Sequence, residues 1–209
     1  MSLIIKICGN THVTDALAAV NSGADALGFI FYEPSPRHTT PALAKEIVRT
    51  LPSSVAKAGV FVDSREELVR AIAAGCGLDT LQFHGQESPE FCSRFSDFKV
   101  WKAFRIQDEK SLMLLERYET DAWLLDSFVA GKIGGTGAQF NWELARAAKK
   151  IAGERPIILA GGLSVGNVAE AVRQVRPFGI DVSSGVESRP GRKDHAKIKA
   201  FIEAARGAL

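Results

Sequence analysis

The fold is first indicated by the stretch Leu3-Ile4-Ile5-Lys6-Ile7-Cys8-Gly9-Asn10-Thr11. Its first six residues form a short, mostly apolar run, which is typical of a strand buried in a sheet. A strand that begins an open, dinucleotide-binding sheet would be followed by a GxGxxG turn. The turn here reads Cys8-Gly9-Asn10-Thr11 instead, and this difference disfavours the open sheet.

Similar short runs recur along the chain and alternate with longer segments of helical period. The strand-like runs are 3–8, 25–31, 55–62, 79–84, 99–104, 121–126, 156–160 and 178–183. Segments with apolar residues at i, i+3 and i+4 lie between them, for example 13–22, 42–51, 65–74, 143–151 and 165–175. Alternating strands and helices imply parallel strands with right-handed crossovers. We predict an α/β fold, a single (β/α)8 TIM barrel of parallel strands over residues 1–209.

The composition excludes several classes of protein. Lys and Arg number 26 and Asp and Glu 24, so the net charge of +2 gives no strongly basic surface for nucleic acid. No apolar run approaches the ~18 residues of a membrane span, and the opening residues lack the pattern of a signal peptide. The three cysteines have no CxxC spacing and the histidines share no ligand spacing, so we predict no metal site. These features predict a soluble cytoplasmic protein that binds neither nucleic acid nor a membrane.

Two neighbouring strand ends carry the glycine and hydroxyl residues that often bind phosphate. Ile158-Leu159-Ala160-Gly161-Gly162-Leu163 is followed by Ser164, which predicts a helix capped by that serine. Asp181-Val182-Ser183-Ser184-Gly185-Val186 ends the last strand. The loops after strands seven and eight are the recurrent phosphate site of such barrels. We expect a phosphorylated ligand there, and two tight turns that need glycine are the alternative.

Strand alternation is expected to bring a lysine, a cysteine and an aspartate together. Ile4, Lys6 and Cys8 share one face of the first strand, whereas the opposite face is aliphatic. Asp181 lies in the last strand, which neighbours the first strand in a closed barrel. We predict a buried Lys6–Asp181 pair beside Cys8, whose ammonium group would favour the thiolate over the thiol. An inert buried thiol is the alternative.

Asp126 ends the sixth strand after the apolar Trp123-Leu124-Leu125. Apolar residues before an aspartate at a strand end predict a carboxyl group with a raised pKa, which keeps a proton available at neutral pH. The alternative is an aspartate that only caps the next element. The first and sixth strands lie three apart in a ring of eight. Cys8 and Asp126 are therefore expected to face each other across the mouth, as a base and an acid would.

Other polar residues also follow predicted strand ends. Arg37, in a loop stiffened by Pro34 and Pro36, is a candidate clamp for a substrate carboxylate, with a solvated loop charge as the alternative. His84 and Arg105 are placed in a similar way but form less specific patterns. The glycine-rich stretch 127–139 is longer than an ordinary loop and predicts a lid over the mouth.

Eight motifs together resemble the phosphoribosylanthranilate isomerase family of tryptophan biosynthesis from end to end. They are Lys6-Ile7-Cys8-Gly9, Gly23-Ala24-Asp25-Ala26-Leu27-Gly28-Phe29, Ser35-Pro36-Arg37, Gln82-Phe83-His84-Gly85, Leu124-Leu125-Asp126-Ser127, Gly134-Gly135-Thr136-Gly137, Leu159-Ala160-Gly161-Gly162-Leu163 and Asp181-Val182-Ser183-Ser184-Gly185-Val186-Glu187. Single motifs are weak signals, but eight in register are specific.

The resemblance implies a cofactor-independent Amadori rearrangement of an aminoaldose to an aminoketose. It implies that Asp126 is the general acid and Cys8 the general base. It also implies that Arg37 contacts the anthranilate portion of the substrate. The remaining residues implied by the family are His84 and Asp181 in the pocket, and Gly161, Gly162, Ser183, Ser184 and Gly185 around the phosphate. Family members occur as monomers or homodimers, and both states remain open.

The sequence departs from the family pattern at a few positions. Asn10 replaces an aliphatic residue, Phe83 replaces Leu, Ala138-Gln139 replaces Lys-Thr, and Asn141 replaces Asp. None of them belongs to the implied acid, base or phosphate loops, so they bear on lid closure and turnover rather than on the reaction.

Two other functions compete with this interpretation. An isomerase for the histidine-pathway aminoaldose would carry an aspartate at the position of Cys8 and an internal two-fold repeat, which we do not find. A non-catalytic barrel that binds a phosphorylated metabolite would need neither Cys8 nor Asp126 at opposed strand ends.

Overall fold

A computed structural model describes residues 3–127 and 142–209. Eight parallel strands form a closed barrel in chain order: β1 (Ile4–Ile7), β2 (Ala26–Ile30), β3 (Ala56–Phe61), β4 (Thr80–Phe83), β5 (Lys99–Ile106), β6 (Ala122–Ser127), β7 (Ile157–Leu159) and β8 (Gly179–Val182). β8 pairs with β1 and thereby closes the ring. The predicted (β/α)8 barrel is confirmed. Each predicted run overlaps an observed strand, and β5 and β6 extend to Ile106 and Ser127, beyond the predicted ends at residues 104 and 126.

Helices connect the strands around the outside of the barrel. They are α1 (Val13–Asn21), α2 (Pro41–Val48), α3 (Glu66–Cys76), α4 (Pro89–Cys92), α5 (Glu109–Leu112), α6 (Trp142–Ala152), α7 (Val168–Val175) and α8 (His195–Arg206). A short 3-10 helix, Ser184–Val186, follows β8 and leads into a hairpin of β9 (Glu187–Arg189) and β10 (Arg192–Lys193). This hairpin returns the chain to α8.

The strands bury both faces, and the two faces differ in the size of their side chains. Outward-facing residues such as Ile5, Leu27 and Phe29 join the large apolar layer beneath the helices. The barrel interior is a separate cluster of mostly small residues around one tryptophan: Ala26, Ala58, Trp101, Ala103, Ala122, Leu124, Ile158 and Ala160. Interior side chains of such barrels fill the centre in layers, so the polar groups are displaced towards the mouth.

Several predicted helix ends are corrected by the structure. The helix after β7 begins at Val168 rather than at residue 165, and its N-cap is Asn167 rather than Ser164. The Asn167 side chain accepts from the Ser164 backbone N–H and donates to the Gly162 carbonyl, so it organises a longer loop before the helix. Gly77 is the C-cap of α3 and adopts the left-handed conformation, whereas Gly75 lies within that helix.

The predicted lid lies outside the described residues except for its first position. Within 127–139, the structure describes only the backbone of Ser127, which ends β6. The departures from the family pattern at residues 138, 139 and 141 also fall outside the described ranges. Among the helices of 3–127 and 142–209, none is long and apolar enough to cross a membrane.

Candidate active site

The predicted lysine–aspartate pair is present where the barrel closes. Lys6 and Asp181 lie opposite each other in the register of β1 and β8, and Lys6 Nζ donates to Asp181 Oδ1 at 2.9 Å. Both residues are buried. Cys8 follows β1 directly, with its thiol also buried at the inner end of the mouth. The three side chains therefore form one cluster at the floor of the mouth.

Gly28 on β2 provides the space that Cys8 and Lys6 occupy. A Cβ atom at residue 28 would lie 2.6 Å from Cys8 Sγ and 3.0 Å from Lys6 Nζ. Any side chain there would displace the thiol or the ammonium group. In the sequence, Gly28 stands out only as part of a motif and this role is not apparent, although a glycine within a strand often marks such a close approach.

Burial decides the charge state of Cys8 more than its neighbouring ammonium group does. Burial raises the pKa of the Cys8 thiol and is the largest effect, the Lys6 charge lowers it, and the Asp181 charge raises it again. The net result is a raised pKa. The prediction that Lys6 would favour the thiolate therefore identifies a real but smaller contribution, because it left out the cost of burying an anion.

Lys6 itself remains charged in this environment. Burial lowers the pKa of its amine, but the charges of Asp181 and Cys8 outweigh that effect, and the pKa is raised overall. A permanent ammonium group therefore lies between the Asp181 carboxylate and the thiol.

Asp126 lies on the opposite side of the mouth and forms a chain of polar side chains with two residues of the β4 end. His84 Nε2 and Asp126 Oδ2 are 3.1 Å apart, and Gln82 Nε2 and His84 Nδ1 are 2.9 Å apart. Arg105 is the register partner of Asp126 on β5. The Asp126 side chain is 27% exposed, so its carboxyl group is not enclosed by apolar residues as the sequence had suggested.

Arg37 is held in place by a carboxylate that we did not single out from the sequence. Arg37 Nε and Nη2 donate to Glu187 Oε1 and Oε2 at 2.9 and 2.8 Å, which is a bidentate pair. Glu187 also accepts from Lys193 Nζ at 2.9 Å, and Lys193 donates in turn to the Cys8 carbonyl at 2.5 Å. The hairpin β9–β10 thus connects Arg37 to the backbone of Cys8.

A buried aspartate of α1 anchors this hairpin. Asp15 accepts from the Lys193 backbone N–H at 3.0 Å and pairs with His195 Nε2 at 2.9 Å. Burial would raise the pKa of the Asp15 carboxyl, but these hydrogen bonds and the nearby Arg192 outweigh it and lower the pKa. Burial lowers the pKa of the Lys193 amine. Asp15 therefore fixes the strand that presents Lys193.

The loops after β7 and β8 meet at the mouth and expose backbone N–H groups. Gly161 and Gly162 have φ values of +78° and +66°, a pair of left-handed conformations that glycine adopts readily. Within residues 3–127 and 142–209, neither N–H has a hydrogen-bond acceptor. A Cβ atom at Gly185 would lie 1.9 Å from the Leu163 carbonyl oxygen, so the two loops pack directly together.

The hydroxyl of Ser183 takes part in the same junction. Ser183 Oγ donates to the Cys8 carbonyl at 3.1 Å, which links the end of β8 to the end of β1. Ser184 and Gly185 begin a 3-10 helix, and the first N–H groups of a helix have no partner within it. The five residues predicted around the phosphate therefore lie on two adjoining loops.

These groups surround the mouth in an order set by the barrel. Cys8 follows β1, and Asp126 lies on β6, with β7 and β8 between them. The exposed N–H groups of the β7 and β8 loops consequently lie between the thiol and the carboxyl group. An anion bound there would hold a small molecule against both.

Residues 5–204 match the model of the N-(5'phosphoribosyl)anthranilate (PRA) isomerase family. The chain belongs to this family. An N-(5'-phosphoribosyl)anthranilate isomerase of Geotalea uraniireducens is 51% identical over 203 residues, covering 97% of this chain and 98% of the relative. The phosphoribosyl anthranilate isomerase structure from Thermotoga maritima is 40% identical with a TM-score of 0.93, covering 99% of this chain and all of that one.

A further solved structure of the family contains a ligand. It is a phosphoribosyl anthranilate isomerase in complex with reduced 1-(o-carboxyphenylamino)-1-deoxyribulose 5-phosphate, 39% identical with a TM-score of 0.89, and the match covers 99% of this chain and 100% of that one. The predicted family, barrel fold and phosphoribosylanthranilate isomerase activity are thereby confirmed for this chain.

Proposed function

We propose that the chain catalyses the Amadori rearrangement of N-(5'-phosphoribosyl)anthranilate with Asp126 as general acid and Cys8 as general base. The product is 1-(2-carboxyphenylamino)-1-deoxyribulose 5-phosphate. One observation carries the two roles: the thiol and the carboxyl group lie on opposite sides of the mouth, with the loops after β7 and β8 between them.

The substrate phosphate is bound by those two loops. Gly161, Gly162, Ser184 and Gly185 supply backbone N–H groups. The hydroxyl of Ser183 donates to the phosphate once its proton turns away from the Cys8 carbonyl. Backbone N–H groups at glycine-rich turns and helix starts are suited to phosphate because they point at the anion without bulky side chains. The phosphorylated product analogue bound by a solved relative is consistent with such a site.

Asp126 performs the first proton transfer. Its carboxyl group donates a proton to the furanose ring oxygen, and the bond between that oxygen and C1' breaks. The anilino nitrogen supplies the electron pair that forms an iminium at C1', so Asp126 ends as a carboxylate. The half-buried position of the carboxyl group beside His84 keeps it accessible to the sugar.

Cys8 performs the second proton transfer. The iminium acidifies the hydrogen at C2', and the thiolate removes it while the C2'–H electron pair forms the C1'–C2' double bond and neutralises the nitrogen. The enolamine then tautomerises to the ketone. Since burial raises the pKa of the thiol, the charge of Lys6 is needed to stabilise the thiolate. Each proton transfer contributes on the order of 10²–10⁴ to the rate.

The anthranilate carboxylate is bound by Arg37. Glu187 accepts two of the N–H groups of its guanidinium, which fixes the plane of the group and directs the remaining N–H groups elsewhere. His84 and Asp181 line the pocket on the two sides of the ribose. Specificity for a substrate with a carboxylate at one end and a phosphate at the other follows from this arrangement.

The test is the decay of substrate fluorescence after freshly generated phosphoribosylanthranilate is added to wild type, Cys8→Ser and Asp126→Asn. We expect rapid decay with wild type and a loss of about 10²-fold or more with each variant. Cys92→Ser, which alters a buried thiol on α4, is the matched control and should retain activity. Undiminished decay with Asp126→Asn would overturn the assigned acid. Ligand binding without decay in wild type would indicate a binding-only barrel.

A further inference from the structure

Within the described residues, the side chain of Gln82 has one hydrogen-bond partner, the imidazole of His84. Gln82 lies on the inward face of β4 and is 1% exposed, and its Nε2 lies 2.9 Å from His84 Nδ1. Its other amide atom, Oε1, is buried without a hydrogen-bond partner among the described residues. A buried amide atom without a partner is uncommon in folded proteins. Only the contact with His84 therefore fixes which way the amide faces.

The orientation of that amide determines the tautomer of His84. In the observed orientation an N–H of Gln82 donates to Nδ1, so the neutral imidazole carries its proton on Nε2 and donates to the Asp126 carboxylate. After rotation by 180°, Oε1 would accept from a protonated Nδ1. Nε2 would then present a lone pair to Asp126, which matches the protonated carboxyl group.

We propose that Gln82 is a positioning residue for the acid step, and that its amide selects the His84 tautomer that matches the proton on Asp126. The inference rests on the proposed role of Asp126 as general acid. The amide can serve both forms of the acid because its far end, Oε1, has no hydrogen-bond partner among the described residues that would hold it in one orientation. An amide whose oxygen and nitrogen both had fixed partners would stabilise only one protonation state of Asp126.

The two protonation states of Asp126 in the proposed mechanism need different hydrogen bonds from His84. Asp126 must hold a proton before the ring opens and must carry a negative charge afterwards. With the proton on Nδ1, His84 accepts from the acid, and with the proton on Nε2, it donates to the carboxylate. His84 exchanges its proton between the two nitrogens through solvent, since it is partly exposed. No proton is gained or lost by Gln82 in either arrangement.

Among the described residues, a buried ion pair lies beside the backbone of His84. Lys102 Nζ donates to the carbonyls of Phe83 and Gly85 on either side of His84, and it pairs with Glu87 Oε2 at 3.0 Å. Arg105 is the register partner of Asp126 on β5, while the Lys6–Asp181 pair lies across the barrel at the β1–β8 seam. His84 itself contacts only Gln82 and Asp126 through its ring nitrogens in the described ranges. The tautomer of His84 is accordingly a local property of these three side chains.

The experiment is 15N NMR of histidine-labelled protein, since the two ring nitrogens report directly where the proton lies. The chain has four histidines, and His84→Gln assigns the resonances of interest. We expect one dominant neutral tautomer in wild type and a mixture in Gln82→Met, which removes the amide. In Gln82→Glu, the introduced carboxylate accepts from Nδ1–H and should shift the proton to that nitrogen. An unchanged tautomer in both variants would overturn the proposal.

Kinetics and a control complete the test. Gln82→Met should lower kcat about tenfold with little change in KM, because the acid step is weakened and binding is not. Thr80→Val removes a hydroxyl from the same face of the same strand without touching His84, and both readouts should match wild type. If Asp126→Asn retained activity while the tautomer still followed Gln82, the acid assignment would fail and the tautomer selection would stand.

Discussion

Lys6 Nζ donates a 2.9 Å hydrogen bond to Asp181 Oδ1 across the β1–β8 pair that closes the barrel. The two residues are 175 positions apart in sequence, so a single interaction joins the ends of the fold and forms the floor of the mouth beside Cys8. Both side chains are buried. Removing either charge would leave the other unpaired, at a cost of about 3–5 kcal/mol.

The first prediction concerns the pKa of the Cys8 thiol. Lys6→Met should raise this pKa further, because the charge of Lys6 is the main influence that lowers it against burial. Thiolate absorbance measured against pH would show the change. The titration needs a Cys76→Ala, Cys92→Ala background, since burial also raises the pKa of Cys76 and raises that of Cys92 to about 11.

Asp181→Asn supplies the opposite change in the same titration. The charge of Asp181 raises the pKa of Cys8, so its removal should lower the pKa and extend thiolate formation to lower pH. The rising limb of kcat/KM against pH should move in the same direction as the thiol in each variant. A Cys8 pKa that stays constant in both variants would show that the charges of Lys6 and Asp181 do not influence the thiol.

The second prediction concerns the space around the thiol. Gly28→Ala would place a Cβ atom 2.6 Å from Cys8 Sγ, so we expect a loss of about 1–3 kcal/mol in unfolding free energy together with a large loss of activity. Gly75→Ala is the matched control, because nothing lies within 4 Å of its added Cβ and the residue is within α3. That variant should be more stable by about 0.5–1 kcal/mol. Equal behaviour of the two variants in urea unfolding and in turnover would contradict the close packing.

The third prediction concerns the junction of the two phosphate loops. Gly185→Ala would bring a Cβ atom to 1.9 Å from the Leu163 carbonyl oxygen, so the loops must separate. We expect a higher KM for the phosphorylated substrate and weaker inhibition by inorganic phosphate. In the control variant Gly166→Ala, the added Cβ atom would lie 3.9 Å from Ser164 Oγ, its nearest neighbour. This variant should leave KM and phosphate inhibition unchanged. An unaltered KM in Gly185→Ala would show that the junction is not needed for phosphate binding.

The fourth prediction concerns the carboxylate that orients Arg37. Glu187→Gln preserves the shape of the side chain but removes the charge that Arg37 and Lys193 share. We expect KM to rise about tenfold or more, with kcat changed less, because substrate orientation is affected before proton transfer. Glu203→Gln, on the exposed surface of α8, serves as the control. A fall in kcat alone would place Glu187 in the chemistry instead.

The strand order and the inward-facing residues could be predicted because they follow from simple periodicities. Alternation along β1 places Lys6 on one face and Ile5 and Ile7 on the other, and barrel closure then brings β8 beside it. These rules need no knowledge of loop conformation. The Lys6–Asp181 contact was therefore predictable from the sequence and is confirmed by the structure.

The partners of the site residues could not be predicted in the same way. Glu187 meets Arg37 across 150 residues through a hairpin whose path depends on Asp15 and Lys193, and no local pattern indicates such a contact. Gln82 belongs to a recognisable motif, but its proposed role depends on an amide atom that has no hydrogen-bond partner among the described residues. The pKa of Cys8 depends on the balance between burial of the thiol and the charges of Lys6 and Asp181, which only the folded structure shows.

The most direct test of the two assigned roles is the kinetic isotope effect on turnover of phosphoribosylanthranilate deuterated at C2'. In Cys8→Ser, removal of the C2' hydrogen should become the slow step, and a full primary isotope effect should appear in kcat. In Asp126→Asn, ring opening should become the slow step, and the isotope effect should vanish from kcat. The opposite pattern, or the same effect in both variants, would contradict an acid at Asp126 and a base at Cys8.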